Sequence, residues 1–117
     1  MAKFLFVFRG GGVAQQPPLS PTELGAHLQK WYAWRESLVQ AGHAPTGAPL
    51  ENGGKTLRGR DRVLTDGPFV ESKDMVTGNM AIVAASLDEA VALAQGCPVF
   101  EFDGSVEVRP LLETLSS

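Results

Sequence analysis

Two stretches of the chain are apolar on both phases of a two-residue repeat. Phe4, Phe6 and Phe8 alternate with Leu5 and Val7, and Met80, Ile82 and Ala84 alternate with Ala81, Val83 and Ala85. Successive side chains of a strand point to opposite faces, so both runs predict central strands covered on both sides. Between them, Ser20-Pro21-Thr22-Glu23 is a capping box with proline at the first helical position. It predicts a helix that runs to Gln40 and stops at Gly42. At helical spacing Leu24, Leu28, Trp31, Leu38 and Val39 share one face, with Arg35 in the middle of the stripe and His27 and Trp34 on its flank. Ser86-Leu87-Asp88-Glu89 is a second capping box, and its helix places Leu87, Ala90, Val91 and Ala94 on one face before Gly96 and Pro98.

The remaining segments read as connections and short strands. Gly10 to Leu19 is a connecting loop, and Pro45, Gly47, Pro49, Gly53 and Gly54 mark turns. Lys55 to Thr65 reads as one strand leading into the turn Asp66-Gly67-Pro68, and Phe100–Phe102 and Ser105–Arg109 as the last extended pieces. The order β–α–β–β–α–β predicts a ferredoxin-like α+β domain with an antiparallel sheet and both helices on one face. Two helices cover only that face. The strands around Phe6 and Ile82 are apolar on the other as well, so the pattern predicts a homodimer that buries the second face against a second copy.

Composition narrows the class. The chain has 117 residues, which suits a single domain over 1–117. Apolar residues make up 44% and charged residues 20%, which suits a folded core rather than a disordered chain. A net charge of −3 points to neither nucleic acid nor an anionic membrane surface. The one cysteine, Cys97, excludes an intramolecular disulfide framework and fits a reducing compartment. The opening apolar run ends at Gly10-Gly11-Gly12, short of a signal peptide or membrane span, and the expected location is cytoplasmic.

Candidate chemistry is sparse. Asp66 either acts as a general base or accepts backbone N–H groups across its own turn. His27 is the residue suited to proton transfer near neutral pH. Arg35, set in an apolar stripe, snorkels out, pairs with Asp66, Glu71 or Glu107, or holds a carboxylate or phosphate. Trp34 would line a pocket mouth and Trp31 the core. Glu71 and Lys73, two apart, would share a strand face and contribute to binding. Arg58, Arg60 and Arg62 at alternate positions read as a solvated strand face. Cys97, with no cation or histidine near it in sequence, reads as a buried residue rather than a nucleophile. Two histidines and one cysteine offer no metal-ligand spacing, and the glycines at 10–12 lack the spacing of a dinucleotide loop, so no metal or cofactor is expected.

The stretch Asp66-Gly67-Pro68-Phe69-Val70-Glu71-Ser72-Lys73-Asp74 resembles the signature of the DGPF domain, a branch of the YCII-related family. Gly78, Ser86-Leu87-Asp88-Glu89-Ala90, Gly96-Cys97-Pro98, Glu107-Val108-Arg109-Pro110 and His27-Leu28-Gln29-Lys30-Trp31 with Trp34 extend the likeness over nearly the whole chain. The resemblance implies a dimeric α/β-barrel of two ferredoxin-like subunits packed sheet to sheet, with pockets between sheet and helices. It also implies association with extracytoplasmic-function sigma factors. It places Phe69 in the core. The related YCII branch pairs a histidine on the first helix with an aspartate, but the matching position here is Trp31, with His27 one turn earlier. Asn79 stands where the branch has an aromatic. The expected function is therefore a small dimeric ligand-binding or regulatory module. The alternative is a cofactor-independent enzyme, isomerase-, lyase- or monooxygenase-like, in which Arg35 holds a small anionic or aromatic compound and His27 or Asp66 moves a proton.

Overall fold

A computed structural model describes residues 1–13, 16–67 and 72–113. Strand β1 (Ala2–Arg9) lies inside a four-stranded antiparallel sheet of order β2-β5-β1-β6, with β2 at Thr46–Pro49, β5 at Val76–Ala84 and β6 at Ser105–Pro110. Helices α1 (Pro21–Gln40) and α2 (Leu87–Ala94) follow β1 and β5, which gives the ferredoxin-like α+β topology. The register sets Phe4 opposite Ile82, Phe6 opposite Met80 and Phe8 opposite Gly78. These residues are buried under the helices. Leu5, Val7, Ala81 and Val83, on the other phase of the same two strands, are half-buried on the helix-free face.

Both helices start at the predicted serines, and the first forms the full capping box. The Ser20 hydroxyl accepts from the Glu23 amide at 3.1 Å, and the Glu23 carboxylate accepts from the Ser20 amide at 3.0 Å. At α2 the Ser86 hydroxyl accepts from the Glu89 amide, but the Glu89 carboxylate reaches back to the Ala85 amide rather than to that of Ser86.

Four local readings differ from the observed fold. Thr46–Pro49 is an edge strand, not a turn: Pro49 ends it, where no ladder donor is needed. Gly47 lets it approach β5, because a Cβ there would lie 2.2 Å from the Asn79 carbonyl oxygen. The segment from Lys55 to Thr65 is not one strand but a hairpin of β3 (Lys55–Arg58) and β4 (Val63–Asp66). Gly59 and Arg62, both at positive φ, turn the chain, so Arg58, Arg60 and Arg62 do not share a strand face. Pro98–Phe102 is a short 3-10 helix rather than an extended piece, started by Pro98 and ended by Asp103 at φ +60°. Finally, α1 is rotated relative to the predicted stripe. His27, Trp34 and Leu38 are buried, while Arg35 lies on the flank and Leu28 and Val39 stay exposed. Counting hydrophobicity alone puts a histidine at the margin, but His27 is buried because both of its ring nitrogens have partners.

Trp34 stacks on Phe6 with ring centroids 6.0 Å apart, and its indole N–H donates to the Leu93 carbonyl, tying α1 to the sheet and to α2. The positions expected for Phe69 and Glu71 lie outside the described residues. Among the described residues no helix is long and apolar enough to cross a membrane.

Candidate ligand cavity

Small residues open a space between α1 and the β2–β5 edge of the sheet. Gly78 faces the helix layer where β5 meets Phe8, and Gly47 sits beside Met80. Neither contributes a side chain, which leaves open volume beneath α1 at this end of the sheet. The result is a cavity of about 730 Å³, within the size range of small-molecule sites. Its floor is Phe8, Gly47, Gly78 and Met80; Leu28, Trp31, Tyr32 and Arg35 of α1 form the roof; the Gly11–Val13 and Leu50–Asn52 segments close the ends.

The wall is mainly apolar and aromatic, and Arg35 is the cation on it. One guanidinium nitrogen, Nη2, donates to the Pro45 carbonyl at 3.0 Å. That bond braces the side chain against the loop that follows α1. A guanidinium carries five N–H donors, and among the described residues the Pro45 carbonyl is its one hydrogen-bond partner. The remaining donors suit a planar carboxylate or a phosphate.

His27 also borders the cavity, yet it is 1% exposed and engaged on both sides. Its Nδ1 lies 2.5 Å from Glu101 Oε1, and its Nε2 accepts from the Trp31 indole N–H at 3.0 Å. An indole N–H can only donate, so Nε2 holds a lone pair and Nδ1 carries the proton that is donated to Glu101. Glu101 in turn accepts from Lys30 through Oε2. The hydrogen bond from Lys30, and after it the one from His27, holds the Glu101 carboxyl below its ordinary range. Phe102 packs on the imidazole with centroids 4.5 Å apart. The imidazole is thus oriented by a carboxylate, as in many acid–base sites, but its basic nitrogen is covered by an indole.

The predicted site residues separate accordingly. His27 and Arg35 meet at the cavity. Trp34 does not line it; Trp31, read as core, does, because the helix is rotated. Asp66 is on the β3–β4 hairpin, away from the cavity, where it accepts from Lys55 at 2.5 Å and leaves 78% of its side chain in solvent. Lys73 is in a short helical turn, Ser72–Asp74, whose backbone packs against Gly10, and it does not line the cavity. Asn79 lies in register with Val7 and Ala48 on the face turned from the helices. Asn79 nevertheless borders the cavity. Glu101, Tyr32 and Glu51 were not legible as site residues. The helical spacing of Leu28, Trp31 and Arg35 was the signal for this wall; nothing near Glu101 in sequence points to His27, 74 residues away.

Cys97 is buried at the start of the 3-10 helix, and burial pushes its thiol up to about 12, so it is not a nucleophile at neutral pH. Among the described residues no cluster of three or more His, Cys, Asp or Glu could hold a metal ion. A search of curated proteins finds no match to the chain. The YCII-related domain matches residues 13–114, which hold both helices and every strand after β1, and the chain belongs to the YCII-related family.

Proposed function

We propose that this protein is a small-molecule-binding module that holds a compound with an apolar, aromatic body and an anionic group. The observation that carries this reading is Arg35, a half-buried guanidinium whose one partner among the described residues is a carbonyl, on the wall of an otherwise mainly apolar cavity. Trp31, Tyr32 and Phe8 supply faces for an aromatic ring, and Arg35 supplies a two-pronged grip on a carboxylate or phosphate. The working unit is a homodimer through the helix-free sheet face, a reading supported by the half-buried Leu5, Val7, Ala81 and Val83 on that face. The site fits a ligand sensor in the cytoplasm, in keeping with the sigma-factor association that the family resemblance implies.

A thermal-shift screen of aromatic carboxylates, aromatic phosphates and their uncharged analogues, run on wild type and Arg35→Ala, tests the binding reading. A ligand at a hundred times its dissociation constant adds about 2.7 kcal/mol of stability. Hits are expected among the anions and not their uncharged analogues, and they should vanish in Arg35→Ala. Hits that survive the substitution would remove Arg35 from the site. Ligand-dependent co-purification with an extracytoplasmic-function sigma factor tests the regulatory part.

One observation favours a second reading, cofactor-independent acid–base catalysis: a carboxylate-oriented imidazole borders the same cavity. On that reading Trp31 swings off Nε2 when substrate enters and His27 takes up a proton. Turnover of any screened ligand that disappears in His27→Gln supports it. Binding without turnover in either protein returns the site to a binding role.

A further inference from the structure

The β3–β4 hairpin has no visible role in the chain that carries it. Among the described residues, neither strand pairs with any strand outside the hairpin. Every residue from Leu57 to Asp66 is exposed. Leu57 and Leu64 are directly opposite each other, so they share one face of the ribbon, and they remain 65% and 59% exposed. Lys55 and Asp66 flank them on the same face as an ion pair. A lone two-stranded ribbon is marginal in water and needs a surface to lie on. The chain as a whole has an open shape. The radius of gyration is 15.6 Å and the extents are 44 × 42 × 18 Å, whereas a chain of this length packed into one body has a radius of gyration of about 13 Å.

The root of the hairpin is rich in glycine. Gly53 and Gly54 on one side and Gly67 on the other all sit at positive φ, and among the described residues one backbone hydrogen bond, Gly67 N–H to the Gly54 carbonyl at 3.2 Å, crosses between them. Charge indicates what the arm lies on. Lys55, Arg58, Arg60 and Arg62 against Asp61 and Asp66 leave the hairpin at +2, so the rest of a chain of total charge −3 carries −5. Four of the ten Lys and Arg residues are thus gathered on one projecting ribbon, and the body of an identical chain is its electrostatic complement.

We infer that β3–β4 is an exchange arm that lies on the acidic body of a second copy of this chain and buries Leu57 and Leu64 there. The inference rests on the homodimer reading and adds to it a second contact, separate from the sheet face. Two-fold symmetry makes the exchange reciprocal, so each arm contributes once per subunit. The arm's charge makes the association salt-dependent, which an apolar sheet-to-sheet contact alone is not.

Sedimentation analysis of wild type, Leu57→Ser/Leu64→Ser and Val7→Glu tests the arm against the sheet face. Circular-dichroism melts check that the arm variant folds. The arm variant is expected to weaken the dimer at least tenfold with an unchanged secondary-structure spectrum, and the wild-type dimer to weaken as salt rises. A Leu57→Cys chain carrying a photo-crosslinker, mixed with isotope-labelled wild type, is expected to give adducts between light and heavy chains. An arm variant that dimerises like wild type, or adducts confined to one chain, overturns the arm while leaving the sheet-face dimer standing if Val7→Glu dissociates it. A chain that is monomeric at all concentrations overturns both.

Discussion

The Trp31 indole donates its N–H to Nε2 of His27 at 3.0 Å, one helical turn away, while Glu101 accepts from the opposite nitrogen. This places the neutral Nδ1–H form of the imidazole in the wall of the cavity. Nitrogen-detected NMR of labelled wild type at neutral pH should show the Nδ1–H tautomer for His27. Trp31→Phe should release Nε2, with a loss of about 0.5–1.5 kcal/mol for the hydrogen bond. An Nε2–H pattern in wild type would overturn the assignment.

Glu101 predicts an acid-side dependence. Its carboxyl is held below the ordinary 4.5, first by Lys30 and then by His27. A depressed folded-state value means that the ionised form stabilises the fold above the unfolded value. That contribution is lost as pH falls through the folded one. Urea midpoints of Glu101→Gln should therefore fall below wild type near neutrality, and the gap should close as pH falls through the depressed value of Glu101. Glu23 and Glu107 are depressed too, so wild type alone sums several groups, and the difference between the two proteins isolates Glu101. A gap that is the same at both ends of the range would exclude the linkage.

Gly47 is where the edge strand β2 meets β5. A methyl group there would lie 2.2 Å from the Asn79 carbonyl oxygen and 2.8 Å from Met80 Cα, and the φ of +141° disfavours any side chain. Gly47→Ala should cost about 1–3 kcal/mol. It should also speed hydrogen exchange at the Leu50 amide, which donates to Thr77 just past the strand. Unchanged exchange at Leu50 would show that the strand accommodates the methyl group.

Phe6 is fully buried between Phe8 and Trp34. Phe6→Ala should lose about 3–5 kcal/mol in urea melts, the range for deleting a buried aromatic ring.

Cys97 is the chemical probe of opening. A buried thiol raised to about 12 presents little thiolate at pH 8. Its labelling by an aromatic disulfide reagent should follow global unfolding and rise with urea along the same curve as fluorescence. Rapid labelling of native protein would mean that this end of the fold opens locally.

Strand alternation around Phe6 and Ile82, the Ser20 capping box and the Ser86 helix start were legible in the sequence because each rests on contacts within a few residues. Together they determined the ferredoxin-like order. The edge strand at Thr46–Pro49 was not legible, because Gly47 and Pro49 carry turn chemistry and only pairing with β5 makes them a strand. The rotation of α1 was hidden for a related reason. A histidine counts as polar until its partners are known, and those partners, Trp31 and Glu101, become evident only when the Pro98–Phe102 turn packs beside the helix. Asp66 shows the reverse: its place in a turn marked it as a candidate, but its carboxylate accepts from Lys55 on a hairpin that carries it away from the cavity. Local contacts follow from neighbouring residues alone. The cavity, its arginine and its covered imidazole depend on surfaces brought together from opposite ends of the chain, and only the tertiary structure decides those.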